Sequence, residues 1–194
     1  MDQQTILAIA IVVIAALAIV AIVAVMSQRR RQKLREHFGP EYDRVVSEEG
    51  DAARADRVLA EREHRVKKLD IRPLPDSARE QFVERWRKVQ GLFVDDPRAA
   101  VAQADALIGE AMEARGYPVS DFEQRAADVS VEHPSVVMDY RTAHDIAQRR
   151  EADTEDLRSA MVHYRSLFAE LVSGGATERR VDESRVEERE ETTR

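Results

Sequence analysis

An unbroken apolar run of 21 residues, from Ile6 to Met26, constrains this chain more than any other feature. Every residue in it is Ile, Leu, Val, Ala or Met. As an α-helix the run would be about 31 Å long, close to the hydrocarbon thickness of a bilayer. A helix that is apolar on every face suits lipid better than the core of a small protein. The sequence therefore predicts a transmembrane helix over residues 5–27.

The charges on either side of the run predict its orientation. Residues 2–5 contain no Lys or Arg, whereas five basic residues follow the run: Arg29, Arg30, Arg31, Lys33 and Arg35. The positive-inside rule then places the C-terminal domain in the cytoplasm, as part of a single-pass protein of the cell membrane. The same five residues are candidates for contact with anionic lipid headgroups. A cleaved signal peptide is the alternative, although its positive charges would precede the apolar segment.

Helical periodicity predicts an all-α protein. Phe82, Trp86, Val89 and Phe93 recur at intervals of four, three and four residues, which is one face of a helix. Such a regular position favours core packing for Trp86. The expected organisation is a transmembrane helix, a basic juxtamembrane segment and charged helical stalk (residues 28–69), a soluble helical bundle (70–173) and a disordered charged tail (174–194).

Capping residues predict where the helices begin and end. Ser77 and Ser120 each precede an acidic residue by three positions, which is the pattern of a capping box. Asp96 before Pro97 is typical of a helix start, and Gly116 of a helix end. Thr154 is expected to cap the last helix. We expect that helix to end at Gly174-Gly175, because the following residues are too polar to fold alone.

Composition excludes several kinds of chemistry. The chain has no cysteine, which removes disulfides, thiol catalysis and cysteine metal ligands. Its net charge of −7 argues against nucleic-acid binding, which requires a basic surface. The five histidines do not form a metal-binding helix motif, and no serine lies in a nucleophile elbow. The sequence therefore predicts no catalytic residue, no resident metal and no cofactor.

One weaker candidate for an interaction site remains. If successive helices run up and down, the turn at Asp95 and Asp96 should lie at the same end of the bundle as Glu132 and His133. These groups could bind a hard divalent cation or a basic loop of a partner. The alternative is that Asp96 only caps a helix and the other three are solvated. On the same assumption, Gly116–Pro118 and His133-Pro134 should lie about 17 Å apart, at opposite ends of one short helix.

Several short motifs carry a resemblance to a known group of proteins. They are "FGPEYDR", "LDIRPL", "FVDDP", "RGYP", "FEQRAADVS" and "EDLRSAMVHYRSLFAEL". Together they resemble an uncharacterised family of bacterial single-pass membrane proteins, over residues 38–171. The family has no assigned activity, so the resemblance implies the architecture and adds no catalytic residues.

These observations lead to two hypotheses about function. The first is a non-enzymatic, membrane-anchored helical module that binds another protein, or acts as a scaffold, on the cytoplasmic side. Its partners would be the lipid bilayer and another protein. Formation of homo-oligomers is a further possibility. The alternative is an unrecognised hydrolase or small-ligand-binding domain tethered to the membrane.

Overall fold

The computed structural model describes the backbone of residues 3–192, together with the side chains of Ile14 and residues 16–173. Every regular element in residues 3–192 is a helix, which confirms the predicted all-α class. The elements are α1 (Gln3–Phe38), α2 (Pro40–Glu49), α3 (Ala52–Val66), α4 (Asp76–Leu92), α5 (Pro97–Arg115), α6 (Phe122–Glu132), α7 (Val137–Gln148) and α8 (Thr154–Thr192).

The chain divides into two compact units, Met1–Ala60 and Glu61–Arg194. The first unit contains α1, α2 and most of α3. Gly39, at φ 52°, separates α1 from α2, whose first residue is Pro40. Asp56 then accepts hydrogen bonds from the Arg31 guanidinium at 3.1 Å and from the Tyr42 hydroxyl at 2.9 Å. One carboxylate on α3 therefore connects to both preceding helices.

The second unit is a bundle built around α8. Helix α8 packs against α4, α5 and α7, and α5 packs against α4 and α7 as well. The predicted apolar faces of α4, α5 and α8 are buried in this core, including Val89, Ile108, Met112, Tyr164 and Leu171. Trp86 stacks on Phe168 with the ring centroids 4.5 Å apart and the planes 15° apart, so the predicted core position of Trp86 is confirmed.

Helix α5 begins and ends where the sequence predicted. Its first residue is Pro97, and the Asp96 carboxylate accepts a hydrogen bond from the Ala99 backbone N–H at 2.9 Å. Gly116 follows its last turn at φ 102°, in the left-handed region that glycine adopts without strain. An isolated Asp-Pro start and Gly stop were therefore sufficient to locate this helix.

Three predicted caps are wrong by one or more residues. Ser77 lies inside the first turn of α4, which begins at Asp76. Asp121, and not Ser120, caps α6 by accepting a hydrogen bond from the Gln124 N–H at 2.9 Å. The Asp153 carboxylate caps α8 by accepting hydrogen bonds from the backbone N–H groups of Glu155 and Asp156, both at 2.8 Å. In the last two cases a carboxylate beside the predicted residue competes for the same donors, and both groups are good caps.

Helix α8 does not end at Gly174-Gly175 but continues to Thr192. The predicted helix end is therefore wrong, whereas the predicted disorder of residues 174–194 stays a prediction. The segment is rich in Glu and Arg, which are strong helix formers, and an existing helix extends without a new nucleation step. Lack of apolar residues prevents a segment from forming a core of its own, but it does not prevent helix extension.

The described helices include none that is both long enough and apolar enough to cross a membrane. The predicted transmembrane segment, residues 5–27, includes 5–13 and Ala15, whose side chains lie outside the described residues.

We expect two glycine substitutions to change stability in opposite directions. A Cβ on Gly116 would collide with the Asp70 carbonyl oxygen, whereas a Cβ on Gly91, in α4, would meet nothing within 4 Å. Gly116→Ala should lower the free energy of unfolding by about 1–3 kcal/mol, because of that clash and the positive φ. Gly91→Ala should raise it by about 0.5–1 kcal/mol. Urea unfolding followed by Trp86 fluorescence measures both, and equal midpoints for the two variants would contradict the prediction.

Candidate functional site

The predicted meeting of Asp95 and Asp96 with Glu132 and His133 does not occur. His133 lies beside Arg115, the last residue of α5, with its Nε2 3.1 Å from the guanidinium. Asp95 and Asp96 are exposed at the start of α5, which is 19 residues and therefore about 28 Å away. The four residues cannot form one site, and this candidate is wrong.

The connection between α5 and α6 explains the error. Residues 117–121 are not helical, and five such residues can cover about 17 Å. Helix α6 has 11 residues and is about as long. The connection therefore carries the chain away from α5, and α6 returns it to the same end. The Tyr117 hydroxyl and the Glu132 carboxylate, predicted to be far apart, are joined by a hydrogen bond of 2.7 Å.

A buried polar cluster forms where these segments meet. Its centre is the Arg115 guanidinium, which is only 4% exposed. One of its nitrogens contacts His133 and lies 3.4 Å from the Leu171 carbonyl oxygen, and another lies 3.5 Å from Glu132. We call this group, together with Tyr117 and Glu170, the Arg115 cluster. It connects the ends of α5 and α6 to the middle of α8.

The geometry of the Arg115 cluster fixes the protonation of His133. Because the Arg115 N–H donates to Nε2, that nitrogen must carry a lone pair, and the ring proton lies on Nδ1. Nδ1 faces the Glu170 carboxylate at 3.4 Å. Burial and the adjacent positive charge of Arg115 lower the pKa of His133, and the negative charges of Glu132 and Glu170 only partly oppose them.

Both ring nitrogens of His133 are therefore occupied, so this imidazole is not poised to accept a proton from a substrate. Burial and the charge of Glu132 raise the pKa of Tyr117, which keeps its hydroxyl protonated as a donor to that carboxylate. No three His, Asp or Glu side chains of the described residues are arranged to hold a metal ion. The arrangement positions three helices through hydrogen bonds of the two terminal guanidinium nitrogens, while the buried Nε of Arg115 has no partner among the described residues.

A different surface of the bundle has the form of a binding site. Two depressions of about 590 Å³ and 180 Å³ lie between α4 and α8 and share Gln90 and Arg165 in their linings, so together they form one groove. We call it the α4–α8 groove. Its apolar lining is Val83, Trp86, Phe93, Met161, Val162, Phe168, Ala169 and Val172. Although Trp86 and Phe168 are nearly buried, Val162 is 50% exposed. The apolar surface that faces solvent in this groove therefore comes from Val162 and Ala169, with part of Val83 and Phe93.

Arginine is the charged residue of this groove. Four arginines line it, two from α4 and two from α8, and none of its lining residues is acidic: Arg79, Arg87, Arg158 and Arg165. Three of them contact an acidic residue three positions earlier in their own helix, at 2.8 Å for Arg79, 3.4 Å for Arg87 and 3.1 Å for Arg158. Arg165 has no ion pair or hydrogen bond to another described side chain. A basic groove is notable in a chain whose net charge is −7.

The basic residues after the apolar run divide into two groups. Arg31 is paired with Asp56 at 3.1 Å, and Arg35 lies 3.5 Å from Asp43. Arg29, Arg30 and Lys33 are exposed and line one shallow surface of α1 together with Met26. Of the five candidate headgroup contacts, these three are the ones not engaged in an ion pair with another described residue.

Sequence reasoning missed Arg115 and the groove arginines. No local pattern marks Arg115, whose partners are 17 to 56 residues away. The groove arginines did leave a signal. Arg79 and Arg87 are eight residues apart, and Arg158 and Arg165 are seven apart, so each pair follows one side of an apolar face.

Comparisons with known proteins returned no match, whether against models of protein families, curated proteins or solved structures.

We expect acidification to destabilise the fold through His133. Its pKa is lowered in the folded state, so the unfolded chain binds more protons as the pH falls below the ordinary histidine value. The free energy of unfolding should therefore decrease from about pH 7.5 to about pH 5.5, and His133→Gln should decrease less over that range. Urea titrations at several pH values measure this difference.

His64→Gln is the matched control, because His64 is exposed and lies outside the Arg115 cluster. Burial also lowers the pKa of His144, so part of the pH dependence should persist in His133→Gln. If His133→Gln keeps the full pH dependence of the parent protein, the assigned protonation of His133 is wrong.

Proposed function

We propose that this protein is a membrane-anchored module that binds a segment of another protein through the α4–α8 groove. The observation that carries the proposal is an exposed apolar groove lined by four arginines and by no acidic residue. Burial of the apolar surface would supply favourable free energy of association. The arginines favour a partner of complementary, negative charge. Aromatic residues and arginine are the types enriched at protein interfaces.

The form of the groove supports a protein partner over a small molecule. Pockets for small ligands enclose most of the ligand surface and place a few polar groups around it. This groove is open along its length, between two helices that run in opposite directions. A chain segment can lie along such a channel, with side chains directed into the floor.

Membrane attachment through the N-terminal helix is the second part of the proposal. It rests on the 21-residue apolar run and on the exposure of the described apolar side chains in α1, which include Ile14, Leu17, Val20 and Met26 at 64–66%. Lipid would cover these side chains. The basic residues that follow favour a cytoplasmic bundle, with Arg29, Arg30 and Lys33 available for anionic headgroups.

Site-specific cross-linking tests the binding groove in cells. A photo-reactive amino acid replaces Val162 in the full-length protein, and Val119, which is 80% exposed outside the groove, is the matched control position. We expect a discrete protein adduct from position 162 that Ala169→Trp removes, because a large side chain there would occupy the groove. Adducts of equal yield at both positions, or insensitivity to Ala169→Trp, would refute groove binding.

A topology experiment tests the anchor. A reporter that fluoresces only in the cytoplasm, fused after Arg194, should be bright in the membrane fraction. Neutral substitutions at Arg29, Arg30, Arg31, Lys33 and Arg35 should reduce that signal, because they remove the charge asymmetry that sets orientation. A reporter found in the soluble fraction, or active only outside the membrane, would overturn the proposed topology.

A further inference from the structure

We infer that the occupant of the α4–α8 groove is an amphipathic α-helix with acidic residues on both sides of its apolar face. The inference rests on the proposed function and names the chemistry of the partner. The residues that recognise it are the apolar floor around Trp86 and Phe168 and the four arginines of the groove.

The length of the groove suits a helix of about four turns. One wall extends from Arg79 in α4 to Phe93, the residue after its end, and the other from Arg158 to Ser173 in α8, which are stretches of 15 and 16 residues. At 1.5 Å per residue both are about 21 to 23 Å long. A helix of this length presents three or four large apolar side chains at positions i, i+4, i+7 and i+11, which is the usual way for a helix to occupy a groove.

The distribution of arginines determines where the acidic residues must lie. Arg79 and Arg87 are carried by α4, and Arg158 and Arg165 by α8, so the groove has positive charge from each of its walls. A bound helix would therefore need carboxylates on both flanks of its apolar face. Arginine suits this role because its planar guanidinium can form two parallel hydrogen bonds with a carboxylate.

The ion pairs already present would not prevent binding. Arg79, Arg87 and Arg158 contact acidic residues that are between 56% and 79% exposed, and exposed pairs of this kind contribute little to stability. Carboxylates of the partner could replace or join them at small cost. Arg165, which contributes to both parts of the groove, has no such neighbour to displace among the described side chains.

The acidic C-terminal segment of a second copy of this chain is a poorer occupant. Residues 176–194 contain seven acidic residues but only two large apolar ones, Val181 and Val186. These two are five positions apart, so they do not share one face of a helix. The segment also carries five arginines of its own, so it offers little net negative charge and would leave the apolar floor uncovered. The groove therefore favours a partner helix that is both acidic and strongly apolar on one face.

Trp86 fluorescence provides a direct test, because it is the single tryptophan of the chain and lines the groove. The full-length protein is placed in nanodiscs of zwitterionic lipid. The probe is a tryptophan-free helical peptide of about 18 residues, with leucine at four positions of one face and glutamate on both flanks. A matched peptide carries lysine in place of every glutamate. We expect saturable binding of the glutamate peptide and none of the lysine peptide.

Charge reversal then tests the arginines. Arg158→Glu combined with Arg165→Glu should weaken binding of the glutamate peptide about tenfold or more, and added salt should weaken binding to the parent protein. Arg149→Glu combined with Arg150→Glu is the matched control, because both are exposed arginines outside the groove and the net charge changes equally, and it should leave the affinity unchanged. Equal loss in the control variant would mean that net charge, and not the groove, controls binding.

The remaining outcomes separate this inference from the proposed function. If the Val162 cross-linker captures a protein segment that is not an acidic amphipathic helix, or if the lysine peptide binds as well as the glutamate peptide, the inference is refuted and groove binding stands. If no groove-dependent adduct forms and neither peptide binds, both are refuted. A Trp86 response to vesicles containing anionic lipid, with none to either peptide, would assign the groove to a membrane surface.

Discussion

The contact between α8 and the rest of the bundle is the constraint on which the other features depend. Helix α8 directs Tyr164, Leu167 and Leu171 into the core while Phe168 stacks on Trp86 of α4. This single helix packs against α4, α5 and α7. The Trp86–Phe168 pair lies where α4 meets α8 and lines the α4–α8 groove. The groove is thus a consequence of how the core is packed.

The Arg115 cluster also holds helices together, but through polar contacts and at the end of the bundle. A buried guanidinium is costly unless its donors are satisfied. Here His133, Glu132 and the Leu171 carbonyl contact the two terminal nitrogens, and Nε has no partner among the described residues. The cluster also requires that α6 return to the end of α5, since its members come from both helices. Removing one member would leave the others buried without hydrogen-bond partners. The cluster therefore couples the position of Tyr117 to the orientation of α8.

The sequence predicted the helices of the bundle well and the site poorly, for a common physical reason. Apolar periodicity depends on neighbours three and four residues away, so the faces containing Trp86, Ile108 and Phe168 could be recognised locally. Pro97 and Gly116 mark the ends of α5 through effects within one helical turn, so these ends could also be recognised locally. The pairing of Arg115 with His133 depends instead on the path of residues 117–121, and an up-and-down arrangement was the wrong assumption for a helix as short as α6.

By itself the sequence determined the all-α class, the inner faces of α4, α5 and α8, and the charge asymmetry around the N-terminal apolar run. These follow from side-chain chemistry and local spacing, which do not require a fold. Tertiary structure decided which polar groups meet. It separated Asp95 from His133, joined Tyr117 to Glu132, and placed the arginines of two distant helices along one groove. Those outcomes depend on helix lengths and packing directions, because residues that share no local pattern become neighbours only when the whole bundle closes.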